Sequence, residues 1–270
     1  MHASRGKIVG LVALIAALAI GLGAGYLLWG RAPDWYDVRN PATLPASPEN
    51  DLIRYGHDLV VDTPALIGPT AKEPAERYAG NDLRCTNCHV NAGLKPFAAP
   101  LVSTYASYPL MVDDNVITLP ERINGCMTRS MNGRALPEDG REMQAFIAYI
   151  RYLGEGTPEG VRVAGMGLMP LKPAAETPSA ERGATVYAAN CARCHGADGG
   201  GAVGVPPLWG DGAYNAAAGM ADIRVAAAFI RANMPDGITF EDPMLSEQEA
   251  WDVAAFVDGK PRPPGPPGGD

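Results

Sequence analysis

Hydrophobic and polar positions change rhythm several times along the chain. From Ile8 to Trp29 there is no charge for 22 residues, which as a helix extends about 33 Å and matches a bilayer. Residues 1–31 are therefore predicted to be an N-terminal transmembrane helix, with a cleaved signal peptide as the competing reading. The run exceeds the roughly 7–15 residues of a signal core and no clear A-x-A site ends it. Arg5 and Lys7 precede it, so everything after Arg31 is expected to be exported. Four prolines then interrupt residues 32–50, which read as a tether. Helical periodicity follows in two sets: Leu52–Val61 with Glu138–Leu153, and Ala180–Asn190 with Ser246–Val257. Ser246 and Glu249 form a capping box. Between the sets lies GMGLMPLKPAAETP, and the chain ends in PRPPGPPGGD. The expected division is a domain at 51–165, a linker at 166–178, a second domain at 179–260 and a disordered tail at 261–270. No alternating pattern of useful length predicts a sheet, so both domains are expected to be all-α.

Composition sharpens this picture. Aromatic residues make up 7% of the chain, against 32 Gly and 25 Pro, so side chains alone would build thin cores. A buried apolar group in each half would supply the missing contact. The net charge of −8 excludes nucleic acid as a partner, which would call for a concentrated basic face.

The chemistry lies in CTNCH at 85–89 and CARCH at 191–195. In C-x-x-C-H two thiols add to haem vinyl groups and the adjacent His reaches the iron. Two covalently bound c-type haems are thus expected, on Cys85, Cys88, Cys191 and Cys194, with proximal ligands His89 and His195. A redox dithiol or half of a zinc site would need both histidines to follow their cysteine pairs by chance. The expected location is the inner membrane, with the haem domains in the periplasm.

The sixth ligand decides what each haem does, since thioether raises the potential and thiolate lowers it. For the second haem the candidates are Met220, Met234 and Met244. Met234 is favoured because it ends an Ala-rich helix and precedes Pro235, which biases it to extended backbone. The fifth cysteine, Cys126, lies 37 residues after His89, as Met234 lies 39 after His195. The repeat of INGC at 123–126 and IRANM at 230–234 makes Cys126 the candidate ligand of the first haem. The competing reading is a buried free cysteine with Met127 or Met131 as ligand. Thiolate ligation suits poorly a simple relay and suggests chemistry at sulfur.

The stretch ERINGCMTRSMNGRALP at 121–137, set between two haem motifs, resembles the dihaem thiosulfate dehydrogenases over roughly residues 51–258. That resemblance implies two fused cytochrome c domains. A His/Cys-ligated haem would couple two thiosulfates to tetrathionate, sometimes in reverse. A second haem would pass electrons to an external acceptor, such as a small cytochrome or another periplasmic carrier. It also implies that Cys126 is both ligand and sulfur centre, with Arg122 and Ser130 beside the substrate. Independently, a dianion needs cationic and hydrogen-bonding groups, and Arg122, Arg129, Ser130 and Arg134 surround Cys126 in sequence. Haem propionates compete for some of these, and Arg129 and Arg134 are assigned there. Ser130 could equally cap a helix. Relatives carry arginines before Arg122 where this chain reads LMVDDNVITLPE, and Asp113 and Asp114 would repel a dianion. A membrane-tethered electron carrier without substrate chemistry is the alternative.

Overall fold

The computed structural model describes residues 35–266 except 38 and 113. The helices are α1 (Pro48–Val61), α2 (Thr63–Ile67), α3 (Val90–Gly93), α4 (Leu119–Arg129), α5 (Arg141–Leu153), α6 (Ala180–Asn190), α7 (Ala192–His195), α8 (Ile223–Asn233) and α9 (Glu247–Asp258). Ser47 starts α1 earlier than the apolar rhythm suggests, because its side chain accepts from the Asn50 N–H and Pro48 occupies the first turn. In α9 the Ser246–Glu249 capping box forms as expected.

Each half is built on one helix pair, α1 with α5 and α6 with α9. A glycine sits at each crossing. A Cβ on Gly56 would overlap the carbonyl of Ala145, and one on Gly183 would overlap that of Asp252. The absent side chain lets the first and last helices of each half touch backbone to backbone. The first core is the larger, with Leu59, Ile67, Met127, Met143, Tyr149 and Leu153 fully buried. The second is thinner, with Tyr187, Val253 and Val257 packed among Trp209 and Phe256.

Three expectations are corrected. The all-α fold after an N-terminal transmembrane helix is not supported: among the described residues no helix is long and apolar enough to cross a membrane. The 8–29 run itself lies outside the described residues. The helical character of the two halves stands, with the addition of a hairpin, β1 (Leu110–Val112) with β2 (Asn115–Ile117). Second, the 32–50 tether is not free from Trp35 onward. Trp35 and Tyr36 pack on the first core, and Arg39 donates to the Tyr152 and Glu155 carbonyls at 2.8 and 3.0 Å. Third, residues 261–266 of the expected disordered tail lie against the 210–216 loop. The Pro261 and Pro263 carbonyls accept from Gly210 N (2.8 Å) and Ala216 N (2.9 Å). Proline cannot donate, but its carbonyl still accepts. The linker is likewise anchored, bridging antiparallel from Leu168 to Ala98.

Candidate haem and sulfur site

Both C-x-x-C-H segments wrap into a single tight turn that closes with a bond from the His N–H to the first Cys carbonyl, 2.9 Å at Cys85 and 3.0 Å at Cys191. Each histidine ring is then oriented by a carbonyl from a later loop. Nδ1 of His89 bonds Ala99 O at 2.5 Å, and Nδ1 of His195 bonds Pro206 O at 3.0 Å. A carbonyl only accepts, so Nδ1 carries the proton and Nε2 keeps its lone pair. That is the tautomer an iron-ligating histidine needs. The buried Thr63 hydroxyl donates to Leu59 O at 2.7 Å and accepts the Cys85 N–H at 3.2 Å, seating the first motif on α1. Burial pushes the thiols of Cys85 and Cys88 up to about 11 and about 12, and Cys191 to about 11. Neutral thiols in apolar surroundings and proton-bearing Nδ1 atoms fit c-type haem, which the Cys pairs and histidines would hold.

Cys126 lies in the last turn of α4, which opens with a Thr118–Glu121 capping box and Pro120. Met127 and Met131, the competing sulfurs, are buried in the first core at 1% and 3% exposure, whereas Cys126 Sγ hydrogen-bonds His89. Arg122, one turn back, donates from Nη1 to Cys126 Sγ at 3.0 Å. Burial acts to raise the Cys126 thiol, but the His89 bond and the charges of Arg122 and Arg129 outweigh it and bring it down to about 7. Tyr108 hydrogen-bonds Arg122, and burial followed by the Cys126 charge raises its phenol. In the sequence nothing but its place before Pro109 marks Tyr108; its partner Arg122 is brought to it only by folding.

Other expected residues divide. Arg129 bonds Gly125 O at 2.9 Å and adds its charge to Cys126. Arg134 turns away, donating to the Arg77 and Ala75 carbonyls over the Tyr78 ring. Ser130 is the C-cap of α4, its N–H on Cys126 O and its carbonyl accepting from Asn81 at 3.0 Å. Asp114 turns the hairpin at φ 64° and is exposed; Asp113 lies outside the described residues. In the second half, Met234 leaves α8 in extended backbone (φ −122°, ψ 141°). Met244 is exposed, and Met220 packs on the first half's core.

Comparison with known proteins follows the same division. Residues 76–158 match the family model described as SoxA/TsdA, cytochrome c domain, and residues 180–259 match cytochrome c. The chain is 39% identical to the thiosulfate dehydrogenase of Thiomonas intermedia (strain K12), over 84% of this chain and 72% of that one. It is 36% identical to that of Allochromatium vinosum, over 90% of both. The solved structure of thiosulfate dehydrogenase (TsdBA) from Marichromatium purpuratum, in its as-isolated form, superposes with a TM-score of 0.73 at 36% identity. It covers 82% of this chain, which spans about half (48%) of that one. Two cytochrome c domains with this ligand geometry define a c-type cytochrome that is an oxidoreductase. The chain belongs to the thiosulfate dehydrogenase family.

Proposed function

We propose that this protein oxidises thiosulfate to tetrathionate in the periplasm and passes the electrons to an external acceptor. Two covalent haems take part, the first on Cys85, Cys88, His89 and Cys126, the second on Cys191, Cys194, His195 and Met234. The observation carrying this reading is the Arg122–Cys126 pair: a guanidinium 3.0 Å from a cysteine sulfur that faces His89. A relay haem needs no cation placed beside its ligand sulfur to receive a dianion.

The residues divide the work. Arg122 binds the sulfonate end of the substrate dianion, and Tyr108 fixes the guanidinium so that little ordering remains to be lost on binding. The positive charges of Arg122 and Arg129 beside the Cys126 sulfur favour its anionic, nucleophilic form. Cys126 thiolate joins the outer sulfur of one thiosulfate, forming an S–S bond with loss of two electrons. A second thiosulfate then displaces the cysteine, releasing tetrathionate and restoring the thiolate. Two thiosulfates thus give one tetrathionate and two electrons, with no net proton. When bound, the haems supply the one-electron acceptors for this chemistry.

The test is ferricyanide reduction by thiosulfate, using residues 35–270 matured with haem, beside Cys126→Gly. Turnover should fall by about 10³-fold or more with haem content unchanged. Turnover retained in the variant excludes Cys126 as the sulfur centre.

A further inference from the structure

The segment after the first haem motif also supports the ligand loop of the second. Phe97 and Ala99 both take positive φ, 56° and 47°, a region bulky side chains rarely adopt without being held. Each is held from both sides. Phe97 N–H donates to Gly165 O at 2.7 Å, and its carbonyl accepts from Asn233 Nδ2 at 3.0 Å. Ala99 N–H donates to Gly167 O at 3.0 Å, and its carbonyl accepts from His89 Nδ1. One three-residue stretch therefore orients His89 of the first half and grips the residue next to Met234 of the second.

Asn233 is 1% exposed and is the last residue of α8. Its amide nitrogen also donates to Phe229 O at 3.1 Å, so one side chain ties the end of its own helix to the opposite half. Two more contacts follow along the same loop. Lys95 Nζ donates to Ile238 O at 3.1 Å, and the rings of Phe97 and Phe240 meet edge to face at 4.5 Å.

We infer that Asn233 is a positioning residue. By clamping the Phe97 carbonyl, it keeps the Met234 loop seated on the first half with the thioether presented to the second haem. The inference rests on Met234 being that ligand. A thioether is a neutral, weak ligand, and it stays bound only if its loop does not swing away. The clamp resists that swing, and because its anchor is the stretch that orients His89, the two ligand sets share one support.

The experiment uses the full ferric protein with haem in place. Imidazole is titrated in while the thioether-to-iron charge-transfer band is followed, with the reduction potential of the second haem as a parallel reading. In Asn233→Ala, imidazole should displace Met234 with an apparent dissociation constant about fivefold to tenfold lower, as for loss of one net hydrogen bond, and the potential should fall. Lys95→Met, which removes the part-buried Ile238 bond together with the charge facing Asp236, should shift the constant in the same direction by about twofold and serves if Asn233→Ala does not accumulate. Constants unchanged in both variants, with the band abolished in Met234→Ala, overturn the clamp and leave the ligand in place. A wild-type protein without the band overturns the ligand and the clamp together.

Discussion

The two halves carry their candidate sulfur ligands, Cys126 and Met234, on different local backbone. In the first, Cys126 is still inside α4, so the residue one turn back, Arg122, stacks directly on it. In the second, Met234 has left α8 for extended chain, the residue four back is Ile230, and the bracing comes from Asn233 and the opposite half. A ligand on a helix inherits neighbours that can bind substrate. One on an extended segment is isolated from them, in keeping with the electron-transfer role proposed for the second haem.

The halves are most alike at their helix crossings, where a glycine meets a backbone carbonyl in each. Gly56→Ala and Gly183→Ala each force a methyl into a backbone carbonyl, and each should cost about 3 kcal/mol or more. Chemical denaturation of each variant, followed at the two haem spectra, should show its own half giving way first. Next in size, Arg122→Ile copies the second half's arrangement into the first. The value of kcat/KM should drop about 10- to 100-fold, chiefly through KM, with the His89 ligand environment retained. An unchanged KM would remove Arg122 from substrate binding. The smallest effect concerns the seam between the halves. Burial pushes the Asp258 carboxyl up to about 6 against the pull of Arg262, which lies 3.5 Å away. The folded state then holds this proton where the unfolded chain, near 3.8, has released it. Its contribution is present at low pH and is lost as pH rises through about 6. The melting temperature of Asp258→Asn relative to wild type should therefore climb from pH 4 to pH 7, by the equivalent of about 2 kcal/mol at most. A flat difference would mean that this carboxyl titrates normally.

Much of this was legible in the sequence because it is written in local spacing. The C-x-x-C-H segments, the span of α6 and the capping box of α9 need only neighbours within one or two turns. The repeat that singled out Cys126 is read the same way. What escaped depends on distant partners. The β1–β2 hairpin is three residues a side and leaves Leu110, Met111 and Val112 all exposed, so it has no alternation to detect. Tyr108 and Asn233 matter only because chain folding brings Arg122 and Phe97 to them. The apolar 8–29 run gave a strong membrane expectation from composition alone, and no described helix carries it. Ser130, which the resemblance sets beside the substrate, also closes α4 through its backbone.

The pinned C-terminal run alters what counts as a minimal chain. A protein stopped at Gly259 would keep every described helix and both haem motifs. It would lose Arg262, whose side chain is 5% exposed and covers the Tyr214 ring at 4.4 Å. It would also strip the amides of Gly210 and Ala216 of their acceptors. Tyr214 belongs to the first half's core, so trimming a run of prolines and glycines at one end of the chain would uncover the half encoded at the other.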